Sequence, residues 1–195
     1  MTGNDRVKSI VMDADGIERS LTRIAHQILE KNKGAGNIAL VGIVTRGDLL
    51  AKRLVDKIEE IEGVRVPLGR LDISFYRDDF ASYLSPEVLS TDILFDIDSR
   101  DIVLVDDVLY TGRTIRAALD ALMDIGRPET VQLAVLIDRG HRQLPIRADF
   151  VGKNVPSSAD ENVRLFLEET DGKSEVEILA VEAGKRPGSA PLGGE

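Results

Sequence analysis

An α/β fold with a mostly parallel central sheet is predicted from three features of the 195-residue sequence. Ile102, Val103, Leu104 and Val105 are β-favouring and lack polar alternation, the pattern of a strand buried on both faces. Residues 38 to 44, IALVGIV, form a second such run. Each run leads through a short turn into a helical repeat: Leu50, Leu54, Ile58 and Ile61 after 38–44, and Ile115, Ala118, Leu119 and Leu122 after 102–105. Strands alternating with helices in this way pack as helices against a parallel sheet.

Composition narrows the function classes. Acidic residues outnumber basic ones 34 to 25, for a net charge of −9, which excludes nucleic-acid binding through a global field. A local basic patch remains open, because exposed charges are largely screened beyond ~8 Å. The absence of cysteine excludes disulfides, thiol catalysis and thiolate-held metal. No apolar run approaches the ~18 residues of a membrane span, and the N-terminus has no signal-peptide pattern. The expectation is a cytoplasmic protein without membrane contact, with one domain over 1–183 and a Gly- and Pro-rich tail, 184–195, predicted to be disordered.

In chain order, residues 7 to 12 suit a short strand, and Asp15 with Glu18 resembles a capping box opening a helix. Leu21, Ile24, Ala25, Ile28 and Leu29 supply its apolar face, while Arg19, Thr22, Arg23 and His26 share the opposite one. Asn32 to Asn37 is a Gly-containing turn before the 38–44 strand, and Gly63 ends the helix that follows that strand. Val64 to Tyr76 alternates like strand structure. The polar stretch from Arg77 to about Arg100 has no periodicity, and a loop of that length inside a domain is usually functional or mobile. After Gly126 and Pro128, alternating Val131, Leu133, Val135 and Ile137 predict another strand, Ala148–Lys153 begins a further strand or loop, and 162–167 with 175–181 form a terminal hairpin.

The chemistry concentrates at strand ends. Asp106 and Asp107 stand at the carboxyl end of the 102–105 strand, the edge where ligands bind in open α/β sheets. Thr111, Gly112, Arg113 and Thr114 then lead into a helix, offering two hydroxyls, a glycine for close backbone approach and unpaired helix N–H groups to a phosphate. This is neither a Walker A loop nor a GxGxxG turn. Thr45, Arg46 and Gly47 make a second strand-to-helix turn, in which arginine suits a second anion. From 139 to 153, Arg139, Arg142, Arg147 and Lys153 face only Asp149, a local charge of +3 in an acidic protein.

The stretch VDDVLYTGRT closely resembles the 5-phosphoribosyl-1-diphosphate (PRPP) motif of type I phosphoribosyltransferases. With LTRIAHQILEKNKG, VTRG, YRDD and DRGHRQLPIRADFVGKNVP in the same order, the chain over roughly 7–181 resembles the family of bifunctional pyrimidine operon regulators and uracil phosphoribosyltransferases. The resemblance implies a single-domain type I phosphoribosyltransferase-like fold, in which helices flank the sheet beside a small hood and a mobile loop containing Arg77. It implies transfer of uracil onto PRPP to give UMP and diphosphate, Mg²⁺ accompanying PRPP with no direct protein ligand, and a homo-oligomer. It also implies uridine-nucleotide-dependent (UMP or UTP) binding to pyrimidine operon mRNA, acting by transcription attenuation or by control of translation.

Carried onto this sequence, the resemblance gives catalytic Asp106 and Asp107 on the ribose hydroxyls, both ionised. Thr111, Gly112, Arg113 and Thr114 take the 5′-phosphate, and Thr45, Arg46 and Gly47 take the diphosphate, with a non-prolyl cis peptide within 45–47. Phe150 lies against the base, the Val151 backbone on its edge and Arg139 near an exocyclic oxygen, core packing being the other reading of Phe150. Thr22, Arg23, His26, Arg142, Arg147 and Lys153 match an RNA-facing surface, against the simpler reading of a solvated face. Tyr110 stands where purine enzymes of the superfamily carry an Asp, which favours a pyrimidine. A phosphoribosyltransferase for a purine or other base, with no RNA role, is the alternative.

Overall fold

The computed structural model describes residues 6–76, 91–158 and 160–180. Arg77, the rest of the loop to residue 90 and the 184–195 tail lie outside them. Five strands form a parallel sheet in the order β3(Leu68–Leu71), β2(Ile38–Ile43), β4(Asp101–Leu109), β5(Thr130–Asp138), β6(Phe150–Asn154). All six β2 residues are buried, as an unalternating apolar run requires when helices cover both faces.

Helix α1(Ala14–Asn32) and helix α2(Gly47–Glu62) share one core cluster on one face of the sheet, and α3(Arg113–Ile125) contributes to the cluster on the other. The chain passes from β2 outward through α2 to β3, and from β4 through α3 to β5 on the opposite side. The order of connection therefore reverses between β2 and β4, and the crevice at the carboxyl ends of those two strands is where α/β sheets bind ligands.

A second, three-stranded sheet forms the hood, in the order β1(Arg6–Met12), β8(Glu175–Ala180), β7(Glu161–Phe166). Both of its pairings are antiparallel, and the four-residue helix α4(Glu168–Asp171) joins β7 to β8.

Several local expectations are corrected. The N-cap of α1 is Asp13, whose carboxylate accepts the Gly16 N–H at 2.8 Å, and Asp15 sits in the first turn. Its capping is worth about 1 kcal/mol. Ile61 does not point inward: it is 38% exposed, and Leu50, Ala51, Leu54, Val55 and Ile58 make the buried stripe of α2. Of 64–76 only Leu68–Leu71 is strand. Asp72 Oδ1 then accepts both the Ser74 N–H at 2.8 Å and the Ser74 hydroxyl at 2.6 Å, turning the chain into a single 3₁₀ turn, Ser74–Tyr76, with Phe75 exposed. β4 runs through Asp106 and Asp107 to Leu109, because its ladder with β5 continues to the Leu109–Asp138 pair.

Candidate functional site

Two turns meet at the β2/β4 crevice. The first leaves β2 through a cis Val44–Thr45 peptide, one bond before the expected 45–47 range, and Arg46 has φ 67°. The Gly47 N–H donates to the Thr45 carbonyl at 2.8 Å, and α2 starts there with no side-chain cap. Glycine at 47 is dictated by the neighbouring strand: a Cβ would stand 2.5 Å from the Val105 carbonyl oxygen and 3.2 Å from the Asp106 Cα. This turn is thus pressed against β4 at Val105 and Asp106.

Asp106 is 5% exposed and its Oδ1 accepts the Asp107 N–H at 2.9 Å, while Asp107 Oδ1 accepts the Val108 N–H at 2.7 Å. Burial pushes the Asp107 carboxyl above its ordinary value, outweighing the Val108 N–H and the nearby Arg46 charge. Burial thus disfavours the ionised form expected for Asp107, which a cationic or hydrogen-bond-donating group beside it would favour.

The second turn follows β4. Gly112, at φ 91°, is the residue before α3 and offers no side-chain cap to the first N–H groups of that helix. Thr111 Oγ1 accepts the Arg113 N–H at a long 3.4 Å, and the Thr111 carbonyl accepts the Gln143 N–H at 3.0 Å and the Leu144 N–H at 3.2 Å. Arg113 Nε donates to Gln143 Oε1 at 3.0 Å. Arg142 backs the same turn from within. Its guanidinium donates to the carbonyls of Tyr110 (2.8 Å), Gly140 (3.0 Å), Ile146 (3.0 Å) and Leu109 (3.3 Å), and pairs with Asp138. This predicted RNA contact is thereby hydrogen-bonded to the backbone leading into the Thr111–Thr114 turn.

Each of the three predicted base contacts has protein neighbours of its own. Phe150 is 3% exposed and belongs to the core cluster beneath α1, with Lys31 Nζ 5.4 Å from its ring centre, so core packing describes it. The Val151 carbonyl accepts Arg23 Nη1 at 3.2 Å. Arg139 is 3% exposed and donates to Ser157 Oγ (3.0 Å) and to the carbonyls of Ser158 (2.9 Å) and Glu161 (2.7 Å). It also lies 4.2 Å from the Tyr110 ring centre, and burial lowers its pKa from the ordinary value.

Thr22, Arg23, His26 and Lys153 do share a face. Arg19 and Arg23 line two adjoining shallow cavities of about 460 and 470 Å³, the first reaching Lys153 and the second Thr22 and His26. Arg147 lies two residues before Asp149, which pairs with Lys31 in the last turn of α1, and so stands toward the far end of that helix. Sequence reading missed Asp171 of α4, whose carboxylate accepts Arg46 Nη2 at 3.0 and 3.3 Å. A separation of 125 residues leaves no local signal for that pair.

Among the described residues no helix is long and apolar enough to cross a membrane, and no three His, Cys, Asp or Glu side chains converge as a metal cage.

Comparison with known proteins adds the lineage. The family model for the phosphoribosyl transferase domain matches residues 9–167. A Bifunctional protein PyrR of Pelotomaculum thermopropionicum is 60% identical over 175 residues, covering 89% of this chain and 97% of that protein. The Deinococcus radiodurans protein of the same name is 57% identical, covering 88% and 94%. Among solved structures, the hypoxanthine phosphoribosyltransferase of Trypanosoma cruzi superposes with a TM-score of 0.67 at 19% identity, covering 90% of this chain and 98% of that one. At that identity the likeness is one of fold.

Proposed function

We infer, for a chain that belongs to the phosphoribosyl transferase family and within it to the bifunctional PyrR proteins, an enzyme that converts uracil and PRPP to UMP and diphosphate and also regulates pyrimidine biosynthesis. The observation that carries the site assignment is the contact of Gly47 with Val105 and Asp106, which makes one cradle of the two turns. PRPP has a phosphate at one end and a diphosphate at the other. Thr111–Thr114 takes the 5′-phosphate, Thr45–Gly47 the diphosphate, and Asp106 with Asp107 between them the ribose hydroxyls.

Hydrogen bonds to charged groups contribute about 1.5–3 kcal/mol each, enough for the two carboxylates to fix the sugar. Their charge also stabilises the positive charge that develops at the anomeric carbon as diphosphate leaves and the uracil nitrogen attacks. The residues fit a PRPP-borne Mg²⁺ held by substrate phosphates and water, which Asp106 and Asp107 would hold only indirectly, through the ribose hydroxyls they take. The ion would supply charge neutralisation of the diphosphate. Tyr110 offers no carboxylate to a purine ring nitrogen, which supports uracil as the base. The test is incubation with PRPP and each of uracil, hypoxanthine, guanine and orotate. UMP formation from uracil alone is expected; turnover of a purine instead would overturn the base assignment.

The regulatory act is binding of pyrimidine operon mRNA, dependent on uridine nucleotide, through the α1/β6 face that gathers Thr22, Arg23, His26 and Lys153. Local basic patches read single-stranded loops in this way. Leader RNA binding should weaken with salt and drop at least about tenfold in Arg23→Ala with His26→Ala. Salt-independent binding, or none lost, would contradict it. The domain occupies 1–183, works as a homo-oligomer and acts in the cytoplasm.

A further inference from the structure

We propose that Asp171, in the short helix of the hood, is a positioning residue for PRPP: it sets the place of the Arg46 guanidinium in the diphosphate turn. The proposal rests on reading Thr45–Gly47 as that turn.

Helix α4 carries two acids that each hold an arginine of the turn-and-helix unit after β2. Asp171 takes Arg46, and Glu169 takes Arg53 at 2.7 and 3.0 Å, while Arg53 also reaches Glu18 of α1 at 3.1 Å. Asp171 is itself prearranged, since Oδ2 accepts the Leu167 N–H at 2.9 Å and the Thr170 hydroxyl at 2.9 Å. The two side chains are only 20% and 15% exposed, so their attraction is weakly screened compared with a surface pair. Burial pushes the Asp171 carboxyl up, but the Leu167 N–H, the Thr170 hydroxyl and Arg46 outweigh it and hold the group below its ordinary value. It is therefore a fixed anion at neutral pH.

Two features connect this anion to ligand binding. Arg46 Nε is buried without a hydrogen-bond partner, and a buried unpaired donor is costly. With Nη2 anchored on Asp171, a diphosphate oxygen at the turn would supply the acceptor that Nε lacks. Gly47, the residue after Arg46, lies against Val105 and Asp106, so anchoring Arg46 keeps its charge beside the carboxylates that take the ribose. Among the described residues of the hood, Asp171 is the one shown hydrogen-bonded to Arg46, and it reaches the substrate only through it.

The experiment is steady-state UMP synthesis with PRPP and uracil varied in turn, for wild type, Asp171→Asn, Arg46→Ala and the double variant. Asp171→Asn should raise the KM for PRPP about tenfold with the KM for uracil within about twofold, since only a ligand at the turn senses the loss. The double variant should be no worse than Arg46→Ala, because coupled residues are non-additive. An unchanged KM for PRPP, additive losses in the double variant, or an Asp171→Asn protein that has lost its circular-dichroism spectrum would each overturn the proposal, the last in favour of a purely structural Asp171. A wild type that makes no UMP would instead remove the reading of the turn on which the proposal rests.

Discussion

The Thr45–Gly47 and Thr111–Thr114 turns each join a central parallel strand to a helix, yet they use glycine for opposite reasons. Gly47 is needed for space, because the backbone of β4 lies where its Cβ would be. Gly112 is needed for conformation, having φ 91°, while the nearest atoms a Cβ would meet belong to the side chains of Ile146 and Leu144, at 3.3 and 3.4 Å. The first turn is held by distant groups, β4 below it and Asp171 of the hood. The second is held by its own neighbourhood, through Gln143, Leu144 and the Arg142 guanidinium. A phosphate site can therefore be specified either by close packing against another strand or by a local turn braced from behind, and substitutions should tell the two apart.

The largest expected difference is between the glycines. Gly47→Ala must push the turn away from Asp106, and misplacement on the order of 1 Å costs about a hundredfold in turnover. Gly112→Ala pays about 1–2 kcal/mol for its left-handed backbone while Ile146 gives way, so a loss of about tenfold, mostly in the KM for PRPP, is expected. Equal losses would abolish the distinction.

Arg142 tests the bracing. Arg142→Ala removes the donor to Tyr110, Gly140, Ile146 and Leu109, and the KM for PRPP should rise up to about tenfold with a lower melting temperature. Arg147→Ala should leave both unchanged. Loss of RNA binding in Arg142→Ala with an unaltered KM would show that its side chain serves RNA and not the turn.

The smallest effect is on stability and carries a sign. Burial raises the folded-state pKa of Asp107, so its contribution to stability is complete below the ordinary carboxylate value and is lost as pH rises through the folded value. Asp107→Asn has no such loss. At neutral pH it should melt above wild type, with the gap closing as the pH falls to the ordinary carboxylate range. A variant less stable than wild type at neutral pH would contradict the burial cost.

Much of the sheet was legible because its strands are unbroken apolar runs: IALVGIV and Ile102–Val105 identify buried strands without knowledge of their partners. The two strand-to-helix turns were legible as well, from residue type at the strand ends. What local pattern could not supply was allocation. In sequence Arg142 reads as an RNA contact and Arg46 as an anion donor, with no sign that Asp138 and nearby carbonyls engage the first and Asp171 the second. Phe150 reads equally as base contact or core residue until α1 is placed over it. Alternation over 64–76 predicted strand, but the Asp72 hydrogen bonds to Ser74 end it after Leu71.

The central claim is that the carboxylates between the two turns hold the ribose of PRPP. UMP formation by Asp107→Asn, measured with saturating uracil beside a circular-dichroism spectrum of the same sample, tests it most directly. The account predicts a folded protein whose turnover falls at least about a thousandfold. A folded variant with near-normal turnover would contradict it.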